Sequence, residues 1–204
     1  MPDITHGLPI LALVAVLAYL LGSVPFGVLV TRAMGLGDVR AIGSGNIGAT
    51  NVLRTGNKLA AALTLVLDAA KGAVAVLVAR AALGEDAAQV AALAAFLGHI
   101  FPIYLRFKGG KGVATFLGIL LALSWPVGLA SCATWLVAAF VARVSSVAAL
   151  MAAALSSLWL LPFGQGQLLF LVVILTVLIY IRHAANIRRL KAGTEPRIGR
   201  KTGT

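Results

Sequence analysis

Long apolar runs follow one another along almost the whole chain, and they restrict its fold more than any other feature. The first run, residues 8–31, is long enough to cross a bilayer, because about 20 helical residues span roughly 30 Å of hydrocarbon. Of the 204 residues, 60% are hydrophobic and 11% are charged, whereas about 25% of the residues of a soluble domain are charged. The sequence therefore predicts an all-α polytopic membrane protein, a helix bundle packed through many Gly and Ala residues.

The spacing of the apolar runs predicts seven transmembrane helices. The runs cover residues 8–31, 59–78, 87–105, 113–124, 127–142, 147–161 and 168–181. The last four are shorter than an ideal span, and merging them in pairs gives an alternative of five helices, with Pro126 and Pro162 as kinks. Pro25 predicts another kink, inside the first run.

The basic residues predict how the chain is oriented. With seven helices, 15 of the 17 Lys and Arg residues fall on one side of the membrane, which the positive-inside rule makes the cytoplasmic side. The N-terminus is then outside and the C-terminus cytoplasmic, whereas five helices would move Arg143 outside. No Lys or Arg precedes the first run, so we interpret it as a retained span and not as a cleaved signal peptide. We expect one domain, residues 1–197, and a frayed cytoplasmic tail, residues 198–204.

The segment GSGNIGATNVLR, residues 43–54, is the richest in hydrogen-bonding groups outside the spans. Its glycines permit turns that point successive amides into one concavity, and its arginine adds a bidentate donor for phosphate. The predicted phosphate ligands are Ser44, Gly45, Asn46, Thr50, Asn51 and Arg54. The segment also fits GxGxxG, but a dinucleotide fingerprint needs a preceding strand, and here a membrane helix precedes it. A flexible polar loop is the alternative that stays open.

The segment FKGGKG, residues 107–112, directly precedes the fourth run and resembles a phosphate-binding loop without the full GxxxxGK[ST] pattern. Glycine amides, two lysines and a helix N-terminus together favour an anion. We therefore expect Lys108, Gly109, Gly110 and Lys111 to bind phosphate. The alternative is a topological anchor, since lysines between spans are common for orientation alone.

A third polar segment follows the last run. His183 and Asn186 are three residues apart, so the pattern predicts that they share a helix face and contact a hydroxyl or a phosphate. A lone helical histidine is more often structural, however, and the arginines that follow have an alternative role in holding the tail against anionic lipid. Ser145 and Ser146 add a polar spot at the same predicted membrane face.

Two charged residues lie inside the second run. A charge in mid-membrane costs about 2.5–3.5 kcal/mol on insertion scales, so Asp68 and Lys71, at i,i+3 spacing, are expected to pair. We expect this pair to brace the bundle behind a polar cavity; the alternative is that Lys71 extends toward a substrate. Ser23, close to the predicted kink, is a further structural candidate.

The sequence lacks the motifs of several other classes of protein. No histidine is followed five residues later by Asp, no GxSxG elbow occurs, and Cys, His and Asp do not form a metal-ligand pattern. A single cysteine, Cys132, excludes an intramolecular disulfide. The net charge of +11 is interpreted through membrane topology and not through nucleic acid. The residues favour a site that grips polyanions, with no metal and no cofactor expected.

Together these segments resemble the bacterial acyl-phosphate:glycerol-3-phosphate acyltransferase family, PlsY. The similarity runs through SVPFG (23–27), GSGNIGATNVLR (43–54), DAAKG (68–72), GHIFPIYLRFKGGKGVAT (98–115) and HAANIRRLKAGTEPR (183–197). The resemblance implies a seven-helix enzyme of the inner membrane that transfers a fatty acyl group from acyl phosphate to the sn-1 hydroxyl of sn-glycerol 3-phosphate. Lysophosphatidate and phosphate are the implied products, and neither acyl-CoA nor acyl carrier protein is used directly.

The resemblance also implies roles for individual residues. The implied ligands of substrate phosphate are Ser44, Arg54, Lys108 and Lys111. His183 and Asn186 are implied to position glycerol phosphate, with Ser145 or Ser146 lining the same pocket. The expected catalytic residues are His183, Asn186 and Lys111. The expected partners are the two substrates and membrane lipid, and the expected state is a monomer. Two other functions compete: a transporter of organophosphates, and a structural membrane subunit with a lipid-binding basic rim.

Overall fold

The computed structural model describes residues 2–198, and within them every regular element is helical. The α-helices of this part are α1 (Leu8–Gly22), α2 (Phe26–Ala33), α3 (Ala49–Val52), α4 (Lys58–Leu83), α5 (Glu85–Ile100), α6 (Val113–Leu123), α7 (Trp125–Ala142), α8 (Ser145–Trp159), α9 (Leu169–Arg182) and α10 (Ala184–Lys191). The all-α prediction is confirmed for these residues. All but the first residue of the predicted tail, residues 199–204, lies outside the described part.

Several helices are long and apolar enough to cross a membrane. They are Leu8–Ala33, which joins α1 and α2, Lys58–Leu83, Glu85–Leu105 and Trp125–Ala142. The pair Gly166–Arg182 and Ala184–Lys191, bent by 60°, is another candidate. The shorter apolar helices α6 and α8 pack among them. The described chain therefore has the helices of a polytopic membrane protein.

The helices approach most closely where one of them carries glycine. A Cβ at Gly22 would lie 2.1 Å from Ala95 O, and a Cβ at Gly118 would lie 2.1 Å from Ala69 O. These contacts join α1 to α5 and α4 to α6 with their backbones touching, which is how small residues bind membrane helices together. The large buried side chains of the adjoining core include Phe96, Ile100, Phe116, Ile119, Leu175 and Ile179.

The chain reverses between α6 and α7. One residue, Ser124, joins the two helices, and a Cβ at Gly128 would lie 2.5 Å from Leu121 Cα, so α7 folds back on α6. Pro126 lies in the first turn of α7, where the missing amide costs little because its hydrogen bond would be absent anyway. Runs 113–124 and 127–142 are therefore two antiparallel helices, and Pro126 does not kink a single span.

Helices α8 and α9 are also antiparallel. Thr176 Oγ1 donates to Ala153 O (2.9 Å), and Tyr180 Oη donates to Leu150 O (3.3 Å), so residue numbers rise along one helix as they fall along the other. Pro162 lies in the turn between these helices. It marks a corner, as one of the two predictions had it, and not a kink within one span.

The first span breaks at the predicted kink. Helix α1 ends at Gly22 and α2 begins at Phe26, so residues 23–25 belong to neither helix. Lys71 Nζ reaches from α4 and donates to Val24 O (2.8 Å). A backbone carbonyl freed by the break is thus satisfied inside the bundle, as a membrane interior requires.

The polar segments meet at one end of the bundle, called the site end below. It consists of loop 34–57, loop 101–112, the turn at 143–144 and residues 183–198. Arg182 bonds to loop 101–112, and Ile198 N donates to Arg143 O (2.7 Å). At the opposite end, the backbone amides of Thr5 and His6 donate to Asp86. The basic residues of these segments, which the sequence assigned to one membrane face, therefore do lie at the same end of the bundle.

Candidate active site

Asn51 organises the loop between α2 and α4. The residue is 3% exposed, and its Nδ2 donates to Val39 O (2.9 Å), Ile42 O (3.0 Å) and Asn46 O (2.8 Å). Its Oδ1 accepts a hydrogen bond from Ser44 N (3.2 Å). Both polar atoms of the side chain are hydrogen-bonded inside the loop, so Asn51 shapes the loop that carries the other candidates, and its role as a phosphate ligand stays a prediction.

The remaining candidates of this loop are open to solvent at the site end. Those that are exposed are Ser44, Gly45, Thr50 and Arg54. Asn46 is half-buried, and its Oδ1 accepts from Gly48 N (2.9 Å) in a local turn. Gly43 has φ +54°, and a Cβ there would lie 2.7 Å from Arg54 Cδ. The glycine therefore serves both the left-handed turn and the path of the Arg54 side chain across the loop.

Gly109 and Gly110 are held between α5 and α9. On one side Gly110 N donates to His99 O (3.1 Å), an otherwise orphaned carbonyl of the last turn of α5. On the other side Arg182 donates to Gly109 O (2.9 Å) and to Gly110 O (3.1 Å). The amide of Gly110 is thus hydrogen-bonded within the protein, and its role as a phosphate ligand stays a prediction. The sequence had given neither His99 nor Arg182 a role in the site.

Lys111 follows these glycines and is half-buried, whereas Lys108 is exposed. Burial lowers the pKa of Lys111 from 10.5 to about 8; Glu195 opposes this shift, and Arg189, Arg182 and Arg54 add to it. Cations from both loops, from α9 and from α10 therefore converge around one partly desolvated ammonium. Such a concentration of positive charge favours an anionic ligand.

Glu195 is the carboxylate at the centre of this cluster. Its Oε1 accepts from Ser146 Oγ (2.7 Å) and from Asn186 Nδ2, and its Oε2 accepts from Arg189 Nε (2.7 Å). Burial alone would raise the pKa of Glu195, but these three hydrogen bonds hold it below its usual value. No role is predicted for Glu195 from the sequence; its place among the basic residues of the tail was the available signal.

The structure distinguishes the two neighbouring serines. Ser146 is 3% exposed and bonded to Glu195, so it joins the cluster. Ser145 is half-buried at the start of α8, and its side chain makes no hydrogen bond to the described residues. Of the two candidates, Ser146 is the one that the fold brings to Asn186.

His183 lies at the break between α9 and α10, where the helix axis turns by 60°. His183 is the N-cap of α10 and Asn186 lies in the first turn of that helix; both side chains are buried, and their predicted role in binding substrate stays a prediction. The ring Nδ1 lies 2.8 Å from Ile179 O. A bond to a carbonyl requires a proton on Nδ1, so in the neutral ring Nε2 carries the lone pair.

Asp68 and Lys71 pair inside the bundle, as their spacing predicts. The Nζ–Oδ1 distance is 2.9 Å, and both side chains are almost wholly buried. Lys71 is also bound to Val24 O, so it points to the break in the first span and not to Lys111. Ser23, within that break, is fully buried. The prediction of a brace is thus consistent with every contact of Lys71, and the alternative that it reaches a substrate is not.

The fold and this cluster define a class: a polytopic helical membrane protein with a cationic site at one end of its bundle. The chain matches the glycerol-3-phosphate acyltransferase family model over residues 12–193. It is 66% identical over 201 residues to a glycerol-3-phosphate acyltransferase of Cereibacter sphaeroides, covering 98% of this chain and 96% of the relative. A relative of that name from Ruegeria pomeroyi is 64% identical, covering 99% and 100%.

Solved structures agree with the sequence relatives. The glycerol 3-phosphate form of PlsY, an integral membrane glycerol 3-phosphate acyltransferase, superposes with a TM-score of 0.87 at 39% identity, covering 93% of this chain and 96% of the other. The lysophosphatidic acid form gives 0.86 at 38% identity, covering 93% and 95%. The chain belongs to the glycerol-3-phosphate acyltransferase family.

Proposed function

We propose that this protein transfers a fatty acyl group from acyl phosphate to the sn-1 hydroxyl of sn-glycerol 3-phosphate, giving lysophosphatidate and inorganic phosphate. The reaction is the first acylation of phospholipid synthesis. The observation that carries the proposal is the convergence of Arg54, Lys111 and Arg189 with the polar side chains of Ser146 and Asn186. The names of the relatives and the two ligand forms of PlsY support it.

The chemistry asks little of the protein beyond binding and alignment. Acyl phosphate is an activated mixed anhydride: the glycerol oxygen attacks its carbonyl carbon, the bond from that carbon to the phosphate oxygen breaks, and phosphate leaves. The enzyme must hold two dianions together, and correct positioning is worth about 7–11 kcal/mol. Lys111, Lys108 and Arg54, with Ser44, offset the repulsion, while Asn186 and Ser146 orient the acceptor.

The proton of the acceptor hydroxyl leaves with the departing phosphate or passes to His183. The lone pair on Nε2 of His183 could receive it, but burial lowers the pKa of His183 to about 4, whereas the second pKa of a phosphate group is about 6, so the phosphate oxygen is the stronger base. A His183→Gln variant separates the two routes. Turnover that stays near wild type would assign the proton to phosphate, whereas a loss in kcat of about 10²-fold or more would assign it to His183.

For the membrane arrangement we propose seven crossings in a bacterial inner membrane, with the N-terminus outside and the site end facing the cytoplasm. The positive-inside rule supports it, because the site end carries the basic loops. The working unit is a monomer surrounded by lipid. A single cysteine placed at Arg143 after Cys132→Ser replacement tests the topology. An impermeant thiol reagent should label it only from the cytoplasmic side; labelling from outside alone would refute the seven-crossing arrangement.

The activity itself is tested with purified protein in lipid vesicles supplied with glycerol 3-phosphate and either acyl phosphate or acyl-CoA. We expect lysophosphatidate to form when acyl phosphate is the donor and not when acyl-CoA is the donor. Uptake of labelled glycerol phosphate into sealed vesicles without acylation would instead indicate a transporter. No product and no uptake would leave only a structural role and would refute the proposal.

The cationic site is tested by removing one charge at a time. Arg54→Gln should lower kcat/KM by about 10- to 100-fold, because hydrogen bonds between charged groups contribute about 1.5–3 kcal/mol each. Arg188→Gln removes an equal charge from an exposed position of α10 and serves as the matched control. Equal activity in the two variants would contradict the assignment of Arg54.

A further inference from the structure

One buried histidine touches the site without belonging to its cationic cluster. His99 lies in the last turn of α5 and is 3% exposed. Its backbone oxygen accepts from Gly110 N, and its ring lies against the same residue. A histidine in this setting costs burial energy that an apolar residue would avoid, so its contacts need a reason.

The ring of His99 and the backbone of Gly110 fit closely. A Cβ at Gly110 would fall 2.2 Å from His99 Nε2. Gly110 is not among the described glycines with positive φ, so alanine is excluded there by the ring and not by the backbone conformation. On the opposite side, Arg182 donates hydrogen bonds to the carbonyls of Gly109 and Gly110. The dipeptide before Lys111 is thus fixed between an imidazole and a guanidinium.

The other edge of the ring faces the buried ion pair of α4. His99 Nδ1 lies 3.6 Å from Asp68 Oδ1, and Asp68 is paired with Lys71 at 2.9 Å. Lys71 in turn is bound to Val24 O in the broken first span. Thr115 Oγ1, in the first turn of the helix that follows Lys111, donates to Asp68 O (2.8 Å). Asp68 and Lys71 of α4 therefore contact α5, α6 and the break in the first span, and α5 and α6 flank the loop that carries Lys111.

We propose that His99 is a positioning residue: its ring, held beside Asp68, sets the position of Gly109 and Gly110 and thereby of the Lys111 ammonium. This inference rests on the proposed function in one respect, namely that Lys111 binds substrate phosphate. It adds to that function a buried support whose shape accounts for the glycine at position 110.

A suppressor experiment tests the fit. Gly110→Ala should raise the KM for acyl phosphate at least tenfold, with a smaller change in kcat at saturation, because the new methyl group displaces the loop. His99→Ala alone should raise this KM a few-fold, because the loop loses its support. In the double variant the methyl has room, so we expect the KM to fall well below that of Gly110→Ala.

Gly109→Ala provides the matched control. Its Cβ would meet His99 O at 2.2 Å and Pro102 Cδ at 2.4 Å. Because these atoms remain when the His99 side chain is shortened, His99→Ala should not restore Gly109→Ala. Each variant is compared only after size-exclusion chromatography shows a monodisperse protein. If His99→Ala fails this check, His99→Asn replaces it with the same expectation, since asparagine also removes the ring.

The outcomes separate the inference from the proposed function. Equal KM values in Gly110→Ala and in the folded double variant, or equal restoration of both glycine variants, would overturn the positioning role. Lys111→Met reports on the proposed function alone: full activity there would remove Lys111 as a phosphate ligand. Inactive Lys111→Met without suppression at Gly110 would leave the proposed function intact and refute the role of His99.

Discussion

The lowered pKa of Lys111 predicts how the reaction depends on pH. Burial brings this pKa to about 8, so the charged form is lost as the pH rises through that value. About nine tenths of the ammonium is charged at pH 7 and about one tenth at pH 9. If only the charged form binds substrate phosphate, kcat/KM should fall roughly tenfold over this interval. This ratio is the right quantity, because it reports the pKa values of the free enzyme.

Lys111→Arg isolates the group responsible. A guanidinium stays charged up to pH 12, so the decline above pH 8 should disappear even if the altered geometry lowers the absolute rate. Lys108→Arg, on the exposed part of the same loop, should keep the wild-type profile. Initial rates of phosphate release from pH 6 to 10, measured over short times, provide the profiles. A wild-type profile that is flat to pH 10, or a decline that persists in Lys111→Arg, would refute the reasoning.

Three further variants test the supports of the site. Glu195→Gln keeps the shape but weakens three hydrogen bonds, so its melting temperature in detergent should fall, and an unchanged value would contradict the central place of this carboxylate. Asn51→Ala leaves loop carbonyls unpaired at about 1–3 kcal/mol and should lower stability, while Thr50→Ala, exposed next to it, should not. Gly22→Ala should prevent a monodisperse preparation, because its Cβ meets a backbone oxygen at 2.1 Å; Gly166→Ala meets nothing within 4 Å and should behave as wild type.

The helices were largely predictable because the hydrocarbon layer sets both the hydropathy and the length of a helix that spans it. The second run, predicted at residues 59–78, is the helix Lys58–Leu83, and the fourth, predicted at 113–124, is Val113–Leu123. Proline was less informative. Pro126 fits either a kink or the first turn of a new helix, and only the contact of Gly128 with the preceding helix distinguishes the two.

The site was predicted in outline and not in its supports. The basic and glycine-rich segments indicate an anion site, because charge and backbone freedom are local properties that can be recognised in the sequence. Which glycine amide is already used, or which asparagine is saturated, depends on residues far along the chain, as the bond of Gly110 to His99 shows. The role of Glu195 could not be predicted for the same reason, because it depends on a hydrogen bond from Ser146, 49 positions away.

The hydrogen bond from Lys71 to Val24, at the break in the first span, has a consequence for how the protein is inserted into the membrane. The first span enters the bilayer before the second, so the carbonyl of Val24 has no lysine to bind until the span that carries Lys71 has followed it. The first two spans together are therefore the shortest segment in which Lys71 can bind the carbonyl of Val24. A released fragment that ends before residue 58 lacks Lys71, so its first span should be straighter in the membrane than the same span in the full-length protein.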